Sequence, residues 1–137
     1  MAEQYDDPVK AEADGDILVL TLLEKHFEGD IVAESLRERM QRALSESACS
    51  HAVIDFQHVE YISSVAFRPL LALRRNLIER QGRMVVCGLN PVVGDVFFTT
   101  RMVNPEGQPA PMFELQSSVQ EAIQSLRIAV NRSKDPA

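Results

Sequence analysis

Two apolar runs of strand length, His51–Phe56 (His-Ala-Val-Ile-Asp-Phe) and Met84–Leu89 (Met-Val-Val-Cys-Gly-Leu), flank a stretch of helical periodicity from about Ser64 to Gln81. That order leaves the chain little freedom. A helical crossover returns the chain to the end where it began, so the two strands lie parallel as neighbours and the crossover is right-handed. Ile54 and Val86 are therefore expected on adjacent parallel strands. The intervening helix carries Ala66, Phe67, Leu70, Leu71, Leu73, Leu77 and Ile78 as a broad core-facing stripe, with Arg68, Arg74, Arg75, Asn76 and Glu79 facing out. Gly82 follows it where a left-handed cap is cheapest.

The remaining elements read in the same way. Ile17–Leu23 is a near-continuous apolar run, a buried strand, and Val9–Ala13 is its edge partner in a hairpin on Asp14-Gly15-Asp16. Ile31, Val32, Leu36, Met40, Ala43 and Leu44 recur at helical spacing, with Asp30 placed as the N-cap and Glu34 adding charge near the first turn. Asn90-Pro91 opens a short helix through Phe98, and Asn104–Pro111, with Gly107 and its prolines, is a loop. Met112–Leu115 reads as a last strand, and Ser117 or Ser118 caps a final helix through Val119, Ala122, Ile123 and Leu126. The expected fold is α/β, one domain with a mixed sheet of four or five strands, helical crossovers and helices mainly on one face. The face left over is free for the N-terminal hairpin or a partner. The domain spans residues 9–130, between an N-terminal tail of 1–8 and a fraying C-terminal tail of 131–137.

Composition narrows the function. The 137 residues suffice for one packed core without disulfide or metal. Lys and Arg number 14 against 20 Asp and Glu, so no basic field exists to attract a nucleic-acid backbone. Arg74, Arg75, Arg80 and Arg83 belong to the polar side of a helix and its end. The N-terminus is acidic and lacks the pattern of a secretory signal, and no apolar run reaches the ~18 residues that span a bilayer, so a cytoplasmic protein without direct membrane insertion is expected. Cys49 and Cys87 read as reduced thiols, and His26, His51 and His58 have no partners at metal-ligand spacing. No cofactor is expected. No phosphate-binding glycine loop or nucleophile signature is present, and a binding function is favoured over catalysis.

The junction between the first strand and its helix carries two adjacent hydroxyls, Ser63 and Ser64. Unpaired backbone donors and the positive end of the helix dipole gather there, so a serine either caps the helix or carries a phosphate comfortably. Both readings stand on the residues alone.

The stretch from Asp55 to Arg68 resembles the STAS domain of anti-sigma factor antagonists. In that family a strand ends in Asp, an apolar approach follows, and Asp-Ser-Ser-Gly-Leu-Gly opens a helix. Here Asp55 ends the strand, Val59 and Tyr61-Ile62 make the approach, and Ser63-Ser64-Val65-Ala66-Phe67-Arg68 occupy the signature. The family's phosphoserine falls on Ser64, with Ser63 as the second candidate. Ser63 stands where an acidic residue usually precedes it, Ala66 and Arg68 replace the glycines, and Pro69 takes the place of a small apolar residue. The ordered elements match from about Val9 to Leu126. The resemblance implies a regulatory module that binds a serine-kinase anti-sigma factor through Asp55, Gln57, His58, Ser63, Ser64, Val65, Phe67 and Arg68. It also allows a soluble STAS accessory subunit of a lipid or anion transport system.

Overall fold

Apolar strands with both faces hydrophobic need cover on two sides, and this chain supplies it. The computed structural model describes residues 8–99 and 113–134. Its strands are β1 (Val9–Asp14), β2 (Ile17–Leu22), β3 (His26–Phe27), β4 (His51–Asp55), β5 (Tyr61–Ile62), β6 (Met84–Cys87) and β7 (Glu114–Gln116). Its helices are α1 (Asp30–Ser45), α2 (Phe67–Glu79), α3 (Pro91–Thr99) and α4 (Val119–Lys134), with a 3₁₀ turn over Ser64–Ala66 leading into α2. The main sheet runs β1-β2-β4-β6-β7, and β3 pairs with β5 in a small parallel ladder. The β1–β2 hairpin is antiparallel and the rest of the main sheet is parallel; Ile54 and Val86 lie on adjacent parallel strands as expected, and they are in register with each other.

Alternation along the strands divides the core in two. Leu18, Leu20, Leu22, Ala52, Ile54 and Val86 join Leu36 and Met40 of α1, Leu70, Leu73 and Leu77 of α2, and Val93 and Phe97 of α3. Ile17, Val19, Val53, Val85 and Cys87 face the other way, onto Ala122 and Leu126 of α4. Three helices thus share one face, and α4 covers the face expected to be left for the hairpin or a partner. The hairpin extends the sheet edge instead.

An aromatic cluster fixes α2 and α3 to the sheet end. Phe97 meets Phe67 edge-on at 4.9 Å, Phe56 at 5.7 Å and Phe113 at 5.8 Å between ring centroids. Such pairs add about 0.5–1.5 kcal/mol each beyond the area they bury.

Helix ends differ from expectation in instructive ways. Gly29 holds the N-cap position of α1 without a side-chain bond, and Asp30 is the first helical residue, contributing charge to the turn rather than the cap. At the end of α2 the left-handed residue is Gln81 (φ 63), not Gly82. The Gln81 N–H donates to the Ile78 carbonyl and the Gly82 N–H to the Leu77 carbonyl, both at 2.8 Å, a Schellman closure. Gly82 is required for another reason: a Cβ there would lie 1.5 Å from the Ser50 carbonyl oxygen. Ser118 caps α4, its hydroxyl accepting the Glu121 N–H at 3.2 Å, while Glu121 receives the Ser117 hydroxyl. Helix α4 continues to Lys134, through residues expected to lie in the tail. The expected loop Asn104–Pro111 and the start of the last strand at Met112 lie outside the described residues.

Candidate functional site

Strand β4 ends at Asp55, which is buried at 3% exposure. Its carboxylate turns back on the following loop, Oδ1 accepting the Gln57 backbone N–H at 3.0 Å and Oδ2 the Gln57 side-chain amide at 2.8 Å. A buried carboxylate is tolerable only when its lone pairs are so occupied. Gly88, at φ 75, passes against this knot: a Cβ there would sit 2.9 Å from Asp55 Oδ1 and 3.1 Å from the Gln57 nitrogen. Cys87 lies beneath it, fully buried, with Sγ 4.0 Å from Asp55 Oδ1. Burial first, and the charge of Asp55 second, push the Cys87 thiol up to about 12.

The loop is pinned from two further sides. Asn90 donates its amide to the Val59 carbonyl at 3.2 Å while its Oδ1 caps α3 by accepting the Val93 N–H at 2.8 Å. On the opposite flank the Glu60 N–H donates to the Lys25 carbonyl at 2.7 Å, β5 pairs with β3, and the Ser63 N–H donates to the Phe27 carbonyl at 3.0 Å. Val59 and Ile62 are buried under this arch.

Beyond the last anchor the chain turns outward. Ser63 is extended (φ −108, ψ 170) and half-buried, and its side chain makes no capping bond to the 3₁₀ turn. Ser64 is exposed at the first position of that turn. The turn is closed by the Ala66 N–H donating to the Ser63 carbonyl at 3.0 Å. Pro69 is buried at the third residue of α2, where a missing N–H is cheap, and the tightened turn before it accommodates the proline. The first turns of the 3₁₀ segment and of α2 contain no acidic residue. Arg68 is exposed and lines a groove with Pro69 and with Asp30, Glu34 and Arg37 of α1.

The proposed contact residues therefore divide. Gln57, His58, Ser64 and Arg68 are exposed, and Ser63 and Val65 are partly so. Asp55 and Phe67 are interior, and their expected place on a contact surface is corrected: Asp55 holds the loop from below and Phe67 packs in the aromatic cluster at 3% exposure. Asn90 was visible in sequence only as a cap. Its second use, clamping the loop before Tyr61, had no sequence signal beyond the spare amide donors of an asparagine. Among the described residues no cluster of His, Cys, Asp and Glu is suited to a metal ion.

The family model for the STAS domain matches residues 9–122. The chain belongs to the STAS domain family. An anti-sigma factor antagonist from Mycobacterium paratuberculosis superposes on this STAS domain with a TM-score of 0.69 at 22% identity, over 87% of this chain and 92% of that one. The phosphorylated form of the Bacillus cell fate determinant SpoIIAA gives 0.61 at 18% identity, over 87% and 99%. The murine solute carrier 26 family member A9 anion transporter gives 0.65 at 12% identity, over 85% of this chain but 18% of the transporter. At these identities the likeness is one of fold. No helix among the described residues is long and apolar enough to cross a membrane.

Proposed function

We propose that this STAS domain is a regulatory protein-interaction module of the anti-sigma factor antagonist kind, which binds a serine-kinase anti-sigma factor and is switched by phosphorylation of Ser64. The observation that carries this reading is the position of Ser64: exposed, two residues past the end of β5 and next to the anchored Ser63, in a helix-initiating turn without acidic residues. Phosphate would add about −1.5 to −2 charges there, and the unpaired backbone donors of the turn favour that charge. A partner seated on Gln57, His58, Ser64, Val65 and Arg68 would have to bury the doubly charged group, at a desolvation cost that weakens the complex. The anchored loop makes the switch one of affinity, with the fold unchanged.

The test is to incubate the protein with ATP and each serine kinase of the anti-sigma factor type from the same genome, then map phosphate by mass spectrometry. Phosphate on Ser64, lost in Ser64→Ala, together with weaker kinase binding by Ser64→Asp, is the expected result. Phosphate on Ser63 moves the site by one residue, and no phosphate on either serine with every kinase ends the proposal.

A second reading, a soluble STAS accessory subunit of a lipid or anion transport system, is supported by the fold likeness to part of an anion transporter. Co-elution of a permease or transport ATPase from native membranes, with Ser64→Asp binding as well as the unmodified protein, would favour it.

A further inference from the structure

The strands β6 and β7 are parallel neighbours, yet the chain leaves them toward opposite faces of the sheet. From β6 it enters α3, whose Val93 and Phe97 pack on the face shared with α1 and α2, whereas from β7 it enters α4, whose Ala122 and Leu126 pack on the other face. Connections that diverge in this way open a crevice at the carboxyl ends of the strands, the place where open α/β sheets hold small molecules. A crevice of about 400 Å³ lies there, walled by Leu89, Pro91 and Phe98 on the α3 side and by Leu115 on the β7 side.

Helix α3 departs from what packing alone asks of it. Asp95 is its single charged residue, and with Val93 and Phe97 buried, Val92 and Phe98 are left 52% and 53% exposed where a helix on the surface ordinarily carries polar side chains. Gly94 lines the crevice in mid-helix, where glycine is destabilising relative to alanine. A Cβ there would meet nothing within 4 Å, so no close neighbour calls for glycine. Its effect is to keep the crevice open.

Charge decides what fits. The first-turn N–H groups of α3 and α4 would suit an anion, but Pro91 has none, Asn90 Oδ1 already accepts that of Val93, and the Ser118 hydroxyl accepts that of Glu121. Asp95 lines the crevice, its carboxylate has no hydrogen bond or ion pair among the described residues, and no Lys or Arg stands beside it in the lining. We infer that the crevice between α3 and β7 is a binding site for a small organic cation, with an apolar body against Leu89, Phe98 and Leu115 and a protonated amine at Asp95. The site is separate from Ser64 and stands independently of the switch proposed there.

The experiment titrates the full chain with phenethylamine and with 3-phenylpropionate, which carries the opposite charge on the same aryl-ethyl body, and follows the backbone NMR resonances of Leu89, Gly94, Phe98 and Leu115. Saturable shifts with the amine at millimolar concentration, and binding of the carboxylate weaker by about threefold or more, are the expected result. Asp95→Asn should remove the preference for the amine. Gly94→Leu should fill the crevice and abolish binding while keeping or raising the melting temperature, since leucine is the better helix former and meets no close neighbour. Equal binding of the amine by Gly94→Leu places it elsewhere and overturns the inference. Absence of saturable shifts with phenethylamine up to about 10 mM, or binding of the carboxylate as tightly as the amine, overturns it as well. Shifts of the same resonances on dilution without either probe assign the exposed Val92 and Phe98 to a second copy of the chain and also overturn it.

Discussion

The two ends of α2 are built on opposite plans. At its C-terminal end the backbone closes through Gln81 and Gly82, and Arg80 donates to the Cys49 carbonyl at 2.7 Å and to the Ser47 carbonyl at 3.3 Å. Gly82 is pressed against Ser50, so helix, preceding loop and next strand are fixed in one place. The N-terminal end has a tightened 3₁₀ turn, no side-chain cap on it, and Ser64 in solvent. One helix therefore carries a structural terminus and a presenting terminus. The contrast teaches that the presenting end needs little stability of its own, because β5 and the Asp55 knot hold the residues just before it.

The largest effect is expected from Phe67, the buried underside of the presenting end. Phe67→Ala should cost about 3–5 kcal/mol by chemical denaturation, since it removes a buried ring packed against Phe97 and Phe113. A loss under about 1 kcal/mol would mean that the N-terminal end of α2 is not anchored from beneath, and the comparison between the ends would fail. Gly82→Ala tests the opposite terminus. Its methyl group meets a backbone carbonyl that no side-chain rotation can move, so a loss of about 3 kcal/mol is expected. Near-neutral behaviour would show that the C-terminal closure is slack.

Much of this architecture was legible in the chain. The lengths of the apolar runs and the 3.6-residue stripe of the helix between them made β4 and β6 parallel neighbours, because a helical crossover of that length permits little else, while their register was not legible. The faces of the sheet were not legible. The stripe of Val119, Ala122, Ile123 and Leu126 says that α4 is buried but not against which side, and a strand apolar on both faces accepts either. The two-residue strands β3 and β5 are too short for alternation to show. Asp55 read as the end of the strand and, through the resemblance, as a contact residue, whereas its burial depends on Gln57, Gly88 and Cys87, which converge only in three dimensions. Ser64 was placed at the opening of a helix by the resemblance and by the start of the helical stripe, and it lies exposed there, while the half-burial of its neighbour Ser63 was not legible.

Cys87 tests the floor shared by the strand ends. Its thiol, raised from the ordinary 9.0 to about 12, should resist alkylation in the native protein at mildly alkaline pH and react once the chain is unfolded. The sign of the linkage follows: above about pH 9 the unfolded chain loses this proton while the folded one keeps it. This contribution to stability therefore falls as pH rises, and it does so until the folded thiol itself ionises near 12. Rapid native alkylation would show that the knot over Asp55 opens readily.

The smallest expected effect on stability is the one that separates the two meanings of the serine pair. A serine that caps a helix loses about 1 kcal/mol on replacement by alanine, because a backbone donor is left without its partner. An exposed hydroxyl outside any cap loses much less, within about 0.5 kcal/mol. Ser64 is exposed, α2 has Ala66 in its N-cap position, and Ser63 makes no side-chain cap to the 3₁₀ turn. Ser63→Ala and Ser64→Ala should therefore both unfold at nearly the wild-type denaturant concentration, with unchanged slope. A cost near 1 kcal/mol confined to Ser64→Ala would reassign that hydroxyl to capping and make its phosphorylation destabilising. Indifference at both positions leaves the presenting end of α2 with serines that stability does not require, which is the condition for a residue retained to be modified or bound.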